Sequence, residues 1–268
     1  MTIIKRRNTW ESEKVDLLDE TWEQLAPGVE RFRLPGNEPV RRIITGRRNL
    51  KVGAFWSWKN NQHVAHESAG EEHCARVLEV HQSVDAYFGQ PEQLRFLVEG
   101  QDRPVRYTPD FLIVSGGREL RVEYKPYDMV HAPVPANDND EEAIYRHAKS
   151  VKLRERLALI QDVYQRCGIP WRLITDRDLH GMADKEVVDE IVANAGRPMA
   201  DGDLVRLVEF LANTDAQAAT MGQCARLLAS SEFPRGDILS RVPERIFSID
   251  LHQEISDDTL VKLGSAAR

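Results

Sequence analysis

Disulfide frameworks and membrane insertion are the first possibilities this sequence removes. It holds three cysteines in 268 residues, Cys74, Cys167 and Cys224, widely spaced and odd in number, which suits reduced thiols in a cytoplasmic chain. No apolar run approaches the about 18 residues of a membrane-spanning helix, and Met1 to Lys14 carry charges in place of an apolar stretch, so neither secretion nor a membrane partner is expected. A glycine-rich loop of the kind that cradles phosphates is missing, so ATP hydrolysis is not expected of this chain. Serine and cysteine nucleophiles lack a recognisable base and orienting group, and Cys74 reads as a small buried hydrophobe. His63, His66, His73 and Cys74 lie near one another in sequence without the paired spacing of a zinc site.

One long stretch lacks carboxylates. Pro39 to His66 contains no Asp or Glu and holds Arg41, Arg42, Arg47, Arg48, Lys51 and Lys59, interleaved with Trp56 and Trp58. Such a segment fits DNA backbone contact with aromatic stacking, or a solvated face with core tryptophans. The net charge of -7 is no objection to DNA, because Asp176 to Arg268 holds seventeen acidic and ten basic side chains and the preceding residues balance. A protein partner for that acidic C-terminal part is the natural expectation.

What is present is a compact group of acid and base. Phe111 to Val114 and Leu120 to Val122 are apolar, strand-favouring runs around Ser115, Gly116 and Gly117, the pattern of a β-hairpin. Asp110 stands at the start of the first strand after Pro109, and Glu123, Tyr124 and Lys125 end the second before Pro126. Alternation along a strand puts Arg121, Glu123 and Lys125 on one face and Leu120, Val122 and Tyr124 on the other. Two carboxylates and an ammonium at a sheet edge suit metal-dependent phosphodiester cleavage, although Glu123 and Lys125 alone also fit a solvated hairpin face.

Upstream, Glu67 to His81 reads as a helix whose buried stripe runs through Cys74, Val77, Leu78 and His81. Extended backward, the stripe reaches Glu71 and Glu67, with Glu72 and Glu79 on another face. An inward-facing carboxylate invites a functional reading, but Glu is also favoured in an exposed first turn. Gly70 weakens the helix start, so Glu67, Glu71 and Glu72 all stay open as the helix carboxylate.

Breaks in pattern divide the chain into an N-terminal arm over 1–38, an α/β domain over 39–180, and a helical domain over 181–268. Gln93 to Val98 reads as a strand. Asp128 to Glu142 has the composition of a loop. Glu141 to Cys167 reads as a long helix with Ile144, Ala148, Val151, Ile160, Val163 and Tyr164 buried, capped by Asp140 and ended by Gly168. Its Lys149, Lys152 and Arg156 fit either a DNA-facing stripe or an ordinary polar face. Trp171 to Thr175 completes a mixed sheet flanked by helices. Beyond Asp184, Val187 to Ala195, Leu204 to Ala212, Ala218 to Ala229 and Asp237 to Val242 are helix candidates, and Arg245 to Leu251 is a strand candidate. This order suggests a small winged-helix-like domain, and its scattered arginines favour protein docking over DNA.

The ordered set of motifs resembles the TnsA endonuclease subunit of heteromeric transposases, within the PD-(D/E)xK, restriction-endonuclease-like group. The likeness rests on the basic lead-in Val40 to Lys59, on His66, Glu67, Ser68 and Glu71, and on Leu78, Glu79 and Val80 opening a strand approach. It continues through Gln90 and Pro91, Tyr107 to Phe111, and Val122 to Pro126, and covers about residues 40 to 180. The resemblance implies a restriction-endonuclease-like mixed sheet, with Glu71 as the helix carboxylate, Asp110 and Glu123 as magnesium ligands and Lys125 as the catalytic cation. Manganese would be a substitute ion. Glu123 stands where some relatives carry glutamine. The resemblance also implies double-stranded DNA at transposon ends as substrate, and a DDE transposase and an AAA+ ATPase as partners. An independent restriction or repair nuclease, and a DNA-bound assembly subunit without cleavage, are the alternative readings of the same core.

Overall fold

The computed structural model describes residues 21–41, 52–137, 139–228 and 231–267. Within 1–38, read as an arm, residues 23–33 form a hairpin. Strands β1 (Glu23–Ala26) and β2 (Val29–Arg33) pair antiparallel across Gly28, whose φ of 72° a glycine adopts without strain. Strands this short show too few periods to stand out among charged residues. A two-stranded ribbon follows, β3 (Gly53–Ser57) with β4 (Gln62–His66).

Helix α1 (Ala69–Val80) starts where Ser68 accepts the Glu71 N–H, and it buries Cys74, Ala75, Val77, Leu78 and Val80. Leu78, Glu79 and Val80, expected to open a strand approach, are instead its last turn. The apolar spacing of three and four residues continues through them, and a helix satisfies it.

Six strands and two helices then build the sheets. They are β5 (Ala86–Gly89), β6 (Glu92–Phe96), β7 (Val105–Tyr107), β8 (Phe111–Ser115), β9 (Arg118–Tyr124), α2 (Tyr127–Val130), α3 (Glu141–Arg166) and β10 (Trp171–Ile174). Strands β8 and β9 form the expected hairpin, with Gly116 and Gly117 at φ 55° and 74°, the left-handed pair of a tight two-residue turn. One sheet has the order β5, β8, β9, β10, and β9 and β10 run parallel through the α3 crossover. A second, antiparallel sheet has the order β1, β2, β6, β7.

Phe111, Ile113, Val122 and Tyr124 pack with α1 in one apolar cluster, and Leu94, Phe96, Tyr107, Ile160, Val163 and Tyr164 form another beneath α3. Between the two sheets, fully buried Glu92 accepts from Arg121 at 3.1 and 3.2 Å and from the Tyr164 hydroxyl at 3.0 Å. A buried carboxylate needs such partners to be tolerated. Asp140 caps α3 and Gly168, at φ 66°, follows its end, as expected.

The rest is α4 (Asp176–Met182), α5 (Lys185–Asn194), α6 (Asp201–Ala212), β11 (Ala218–Thr220), α7 (Met221–Leu227), α8 (Pro234–Leu239), β12 (Phe247–Ser248) and β13 (Leu260–Leu263). The helix expected over Ala218 to Ala229 is a strand and a shorter helix, because Thr220 and Gln223 form a capping box that starts α7 at Met221; Ala229 lies outside the described residues. The strand expected over Arg245 to Leu251 shrinks to β12, with Arg245 at φ 62°. Strands β11, β13 and β12 form an antiparallel sheet in that order. Val187, Val188 and Ile191 of α5 belong to the same apolar cluster as α1. The molecule is a mixed α/β protein with several small sheets flanked by helices.

Candidate active site

The hairpin register pairs Phe111 with Val122, so one step further Asp110 faces Glu123 across the two strands. Both side chains reach one cation. Lys125 Nζ lies 3.3 Å from Asp110 Oδ2 and 2.6 Å from Glu123 Oε1. Asp110 also accepts the Tyr124 N–H at 2.9 Å, and Lys125 donates to the Tyr124 carbonyl at 2.7 Å. The backbone around the group is fixed from both sides: Gln90 N–H bonds the Asp110 carbonyl, and Lys125 N–H bonds the Ile174 carbonyl of β10.

Sequence reasoning missed what holds the far side of Glu123. Its Oε2 accepts the buried Tyr107 hydroxyl at 2.7 Å, and that hydroxyl accepts Trp171 Nε1–H at 2.9 Å. The signal was the aromatic at the end of β7, two residues before Pro109, but nothing in the sequence shows that β7 abuts β9. One Glu123 oxygen thus meets a neutral donor and the other a cation.

Glu71 is electrostatically tied to the same group. Burial and then the neighbouring Asp110 raise its pKa, opposed by hydrogen bonds and Lys125. Of the three candidates on this turn, Glu67 pairs with Arg41, and Glu72 pairs with Arg76, which also reaches Asp189. That leaves Glu71 facing the strand ends. Its oxygens accept the Glu67 N–H at 2.7 Å and the Ser68 hydroxyl at 3.0 Å, so the same residue completes the helix cap.

The electrostatics are those of carboxylates crowded in a poorly solvated place. Burial, then Glu123, pushes the Asp110 carboxyl up to about 6, with Lys125 and the Tyr124 N–H acting against it. Burial alone would lower the Lys125 pKa, but Asp110 and Glu123 outweigh it and the ammonium is stabilised. Cys74, beneath Asp110 and Glu71, is pushed far up by burial and is an inert thiol.

Three carboxylates against one ammonium leave a surplus of negative charge, and every donor is a hard oxygen, the chemistry magnesium prefers. Among the described residues no three Asp, Glu, His or Cys side chains converge closely enough to hold an ion by themselves. An ion at Asp110 and Glu123 would need water or phosphate oxygens for the rest of its shell.

The basic segment is only partly described. Arg42, Arg47, Arg48 and Lys51 lie outside the described residues. Arg41 is exposed beside Glu67. Lys59, expected to contact DNA, is turned inward, donating to the Leu78 and His81 carbonyls at 2.9 Å each. It caps the C-terminus of α1, where unpaired carbonyls attract a cation. Trp58 lies over Gly196, where a Cβ would collide with its ring, and Trp56 packs edge-on against Trp58. No protein-family model matches the chain, and no curated protein matches it.

Proposed function

We propose that the protein is a magnesium-dependent DNA endonuclease of the restriction-endonuclease-like kind, with Glu71, Asp110, Glu123 and Lys125 as its catalytic group. The observation that carries this reading is the meeting of Asp110 and Glu123, from facing strand ends, on the single ammonium of Lys125. Each residue has a role its surroundings suit. Asp110 and Glu123 would hold magnesium, or manganese in its place, with Glu71 as a further carboxylate once released from its cap. Bound there, the ion would supply a Lewis acid for the scissile phosphate and a source of hydroxide. Lys125 would stabilise charge building on the phosphate. Tyr107 positions Glu123 through its second oxygen.

The TnsA likeness makes the substrate double-stranded DNA at a transposon end, cut on the strand left intact by a DDE transposase under an AAA+ ATPase. Support for the C-terminal part comes from topology. The order α6, β11, α7, α8, β12, β13 with sheet order β11, β13, β12 follows the plan of a winged helix. In α8, which would take the recognition position, Gly236 to Leu239 are buried and Gly236 lies against Asn194 and Arg197. So short and covered a helix favours docking of protein over reading of DNA. The test is nicking of supercoiled DNA by the chain with its two partner subunits and magnesium. Asp110→Ala should abolish cleavage while DNA binding persists, and an Asp110→Ala variant that cuts like the parent would sink the assignment.

A further inference from the structure

Helix α3 is much longer than the strands it joins. Its 26 residues span about 39 Å at 1.5 Å per residue, whereas the four residues of β10 cover about 13 Å. Only its second half is covered by the sheets, through Leu157, Ile160, Val163 and Tyr164; between Glu141 and Arg156 only Ser150 is buried. Ile144 and Ala148, expected in a buried stripe, are exposed. Because α3 carries the chain from the end of β9 back to the start of β10, the overhanging half lies toward the strand ends that hold Asp110, Glu123 and Lys125. It is tied there by α2, directly after Lys125: Ser150 donates to the Val130 carbonyl at 2.6 Å and accepts the Ala132 N–H at 3.3 Å.

The overhang is basic on one side. At 3.6 residues per turn, Tyr145, Lys149, Lys152 and Arg156 fall within an arc of about 60°, and all four are exposed. Lys149 lies 4.4 Å over the Tyr145 ring. The ion pairs on α3 are Arg146 with Glu142 and Arg166 with Asp162, so these three cations have no carboxylate partner among the described residues. From Ile144 to Arg156 the only acid is Glu155. Lys149 to Arg156 extends about 10 Å along the helix, the axial length of about three phosphates on one strand of duplex DNA.

We infer that the overhanging half of α3 is a phosphate-binding arm, with Lys149, Lys152 and Arg156 holding the backbone of duplex DNA beside the candidate active site. This rests on the nuclease reading and adds where the duplex lies. Contacts of this kind position DNA without reading its sequence.

The test uses the full chain, a fluorescent duplex of arbitrary sequence and fluorescence anisotropy over a range of salt. The triple variant Lys149→Ala, Lys152→Ala, Arg156→Ala should bind about tenfold to a hundredfold more weakly at about 0.1 M salt, and its slope of log affinity against log salt should be shallower by about 2 to 3. A control triple, Arg103→Ala, Arg226→Ala, Lys262→Ala, removes the same charge elsewhere and should leave the slope nearly as in the parent. All six positions are exposed, and unchanged melting temperatures establish that the variants fold. Equal slopes for parent and α3 triple, equal losses for both triples, or a parent that does not bind duplex would each overturn the inference. So would polyglutamate competing with DNA for the stripe at equal charge, which would mark a surface for acidic protein. Nicking of supercoiled DNA by Asp110→Ala separates the two readings: cleavage retained by that variant, while the α3 triple still shows the shallower salt slope, removes the active-site assignment alone.

Discussion

Gly70 of α1 lies directly against the Tyr124 ring of β9, with no room for a Cβ between them. That contact lets the first turn of the helix close onto the end of the strand, on the turn where Glu71 feels the Asp110 charge. Alanine ordinarily stabilises a helix by about 1 kcal/mol over glycine. Here the overlap with a buried ring should reverse the sign, and Gly70→Ala should destabilise the fold by about 1–3 kcal/mol. Denaturant titration measures this. Adding Tyr124→Ala to Gly70→Ala should cost less than the two single changes together, and strict additivity would mean the two residues are not in contact.

The Asp110 carboxyl carries a cost that pH can reveal. Its pKa in the folded chain is about 6, raised by burial and Glu123, against about 3.9 in an unfolded chain. The folded state therefore takes up this proton first as pH falls. The penalty of the ionised group is fully present above about pH 6 and fades as pH drops toward 4. Asp110→Asn keeps the shape and removes the charge, so at pH 7 it should be more stable than the parent by about 1–3 kcal/mol, with the advantage closing by about pH 4. Melting curves at both pH values decide it, and an advantage independent of pH would refute the account.

Magnesium should relieve the same crowding. In the parent, added magnesium or manganese should raise the melting temperature, by an amount worth about 2.7 kcal/mol at a hundredfold excess over Kd. Asp110→Asn and Glu123→Gln should not respond. Tyr107→Phe should respond at higher ion concentration, because Glu123 then loses the donor that fixes its second oxygen, and second-layer partners of this kind are worth about 10- to 100-fold in metal affinity. Calorimetric titration of the four chains gives the order directly.

Local features of the chain were legible because their causes are local. Gly116 and Gly117 fix the hairpin turn, Pro109 and Pro126 bound its strands, and alternation places Asp110, Glu123 and Lys125 on one side. The α3 caps were equally readable in Asp140 and Gly168. What was hidden depends on which distant surfaces meet. Tyr107 reaches Glu123, and meets Trp171, only because the second sheet packs on the first. Lys59 reads as a DNA-facing cation in a basic stretch, yet it lies inward because the β3–β4 ribbon folds onto the end of α1. The same limit applies to α3: its apolar residues show a helix, but not that the sheet ends before Ile144 can be covered.

The ribbon's anchor is Glu79, which the helical spacing puts with Glu72 on another face than Glu71. It is fully buried, with one oxygen accepting the Trp58 and Lys59 N–H groups at 2.7 and 3.0 Å and the other accepting the Ser57 and Tyr87 hydroxyls at 2.7 and 2.9 Å. Glutamine can keep its carbonyl on the two amides, while its NH2 donates to hydroxyls that rotate to accept. Alanine leaves two buried amide donors without partners, each costing about 1–3 kcal/mol. Glu79→Gln should therefore cost about 1–2 kcal/mol and Glu79→Ala about 3–5 kcal/mol in denaturant titrations. Equal costs would show that the buried charge, and not the pattern of acceptors, holds the ribbon to α1.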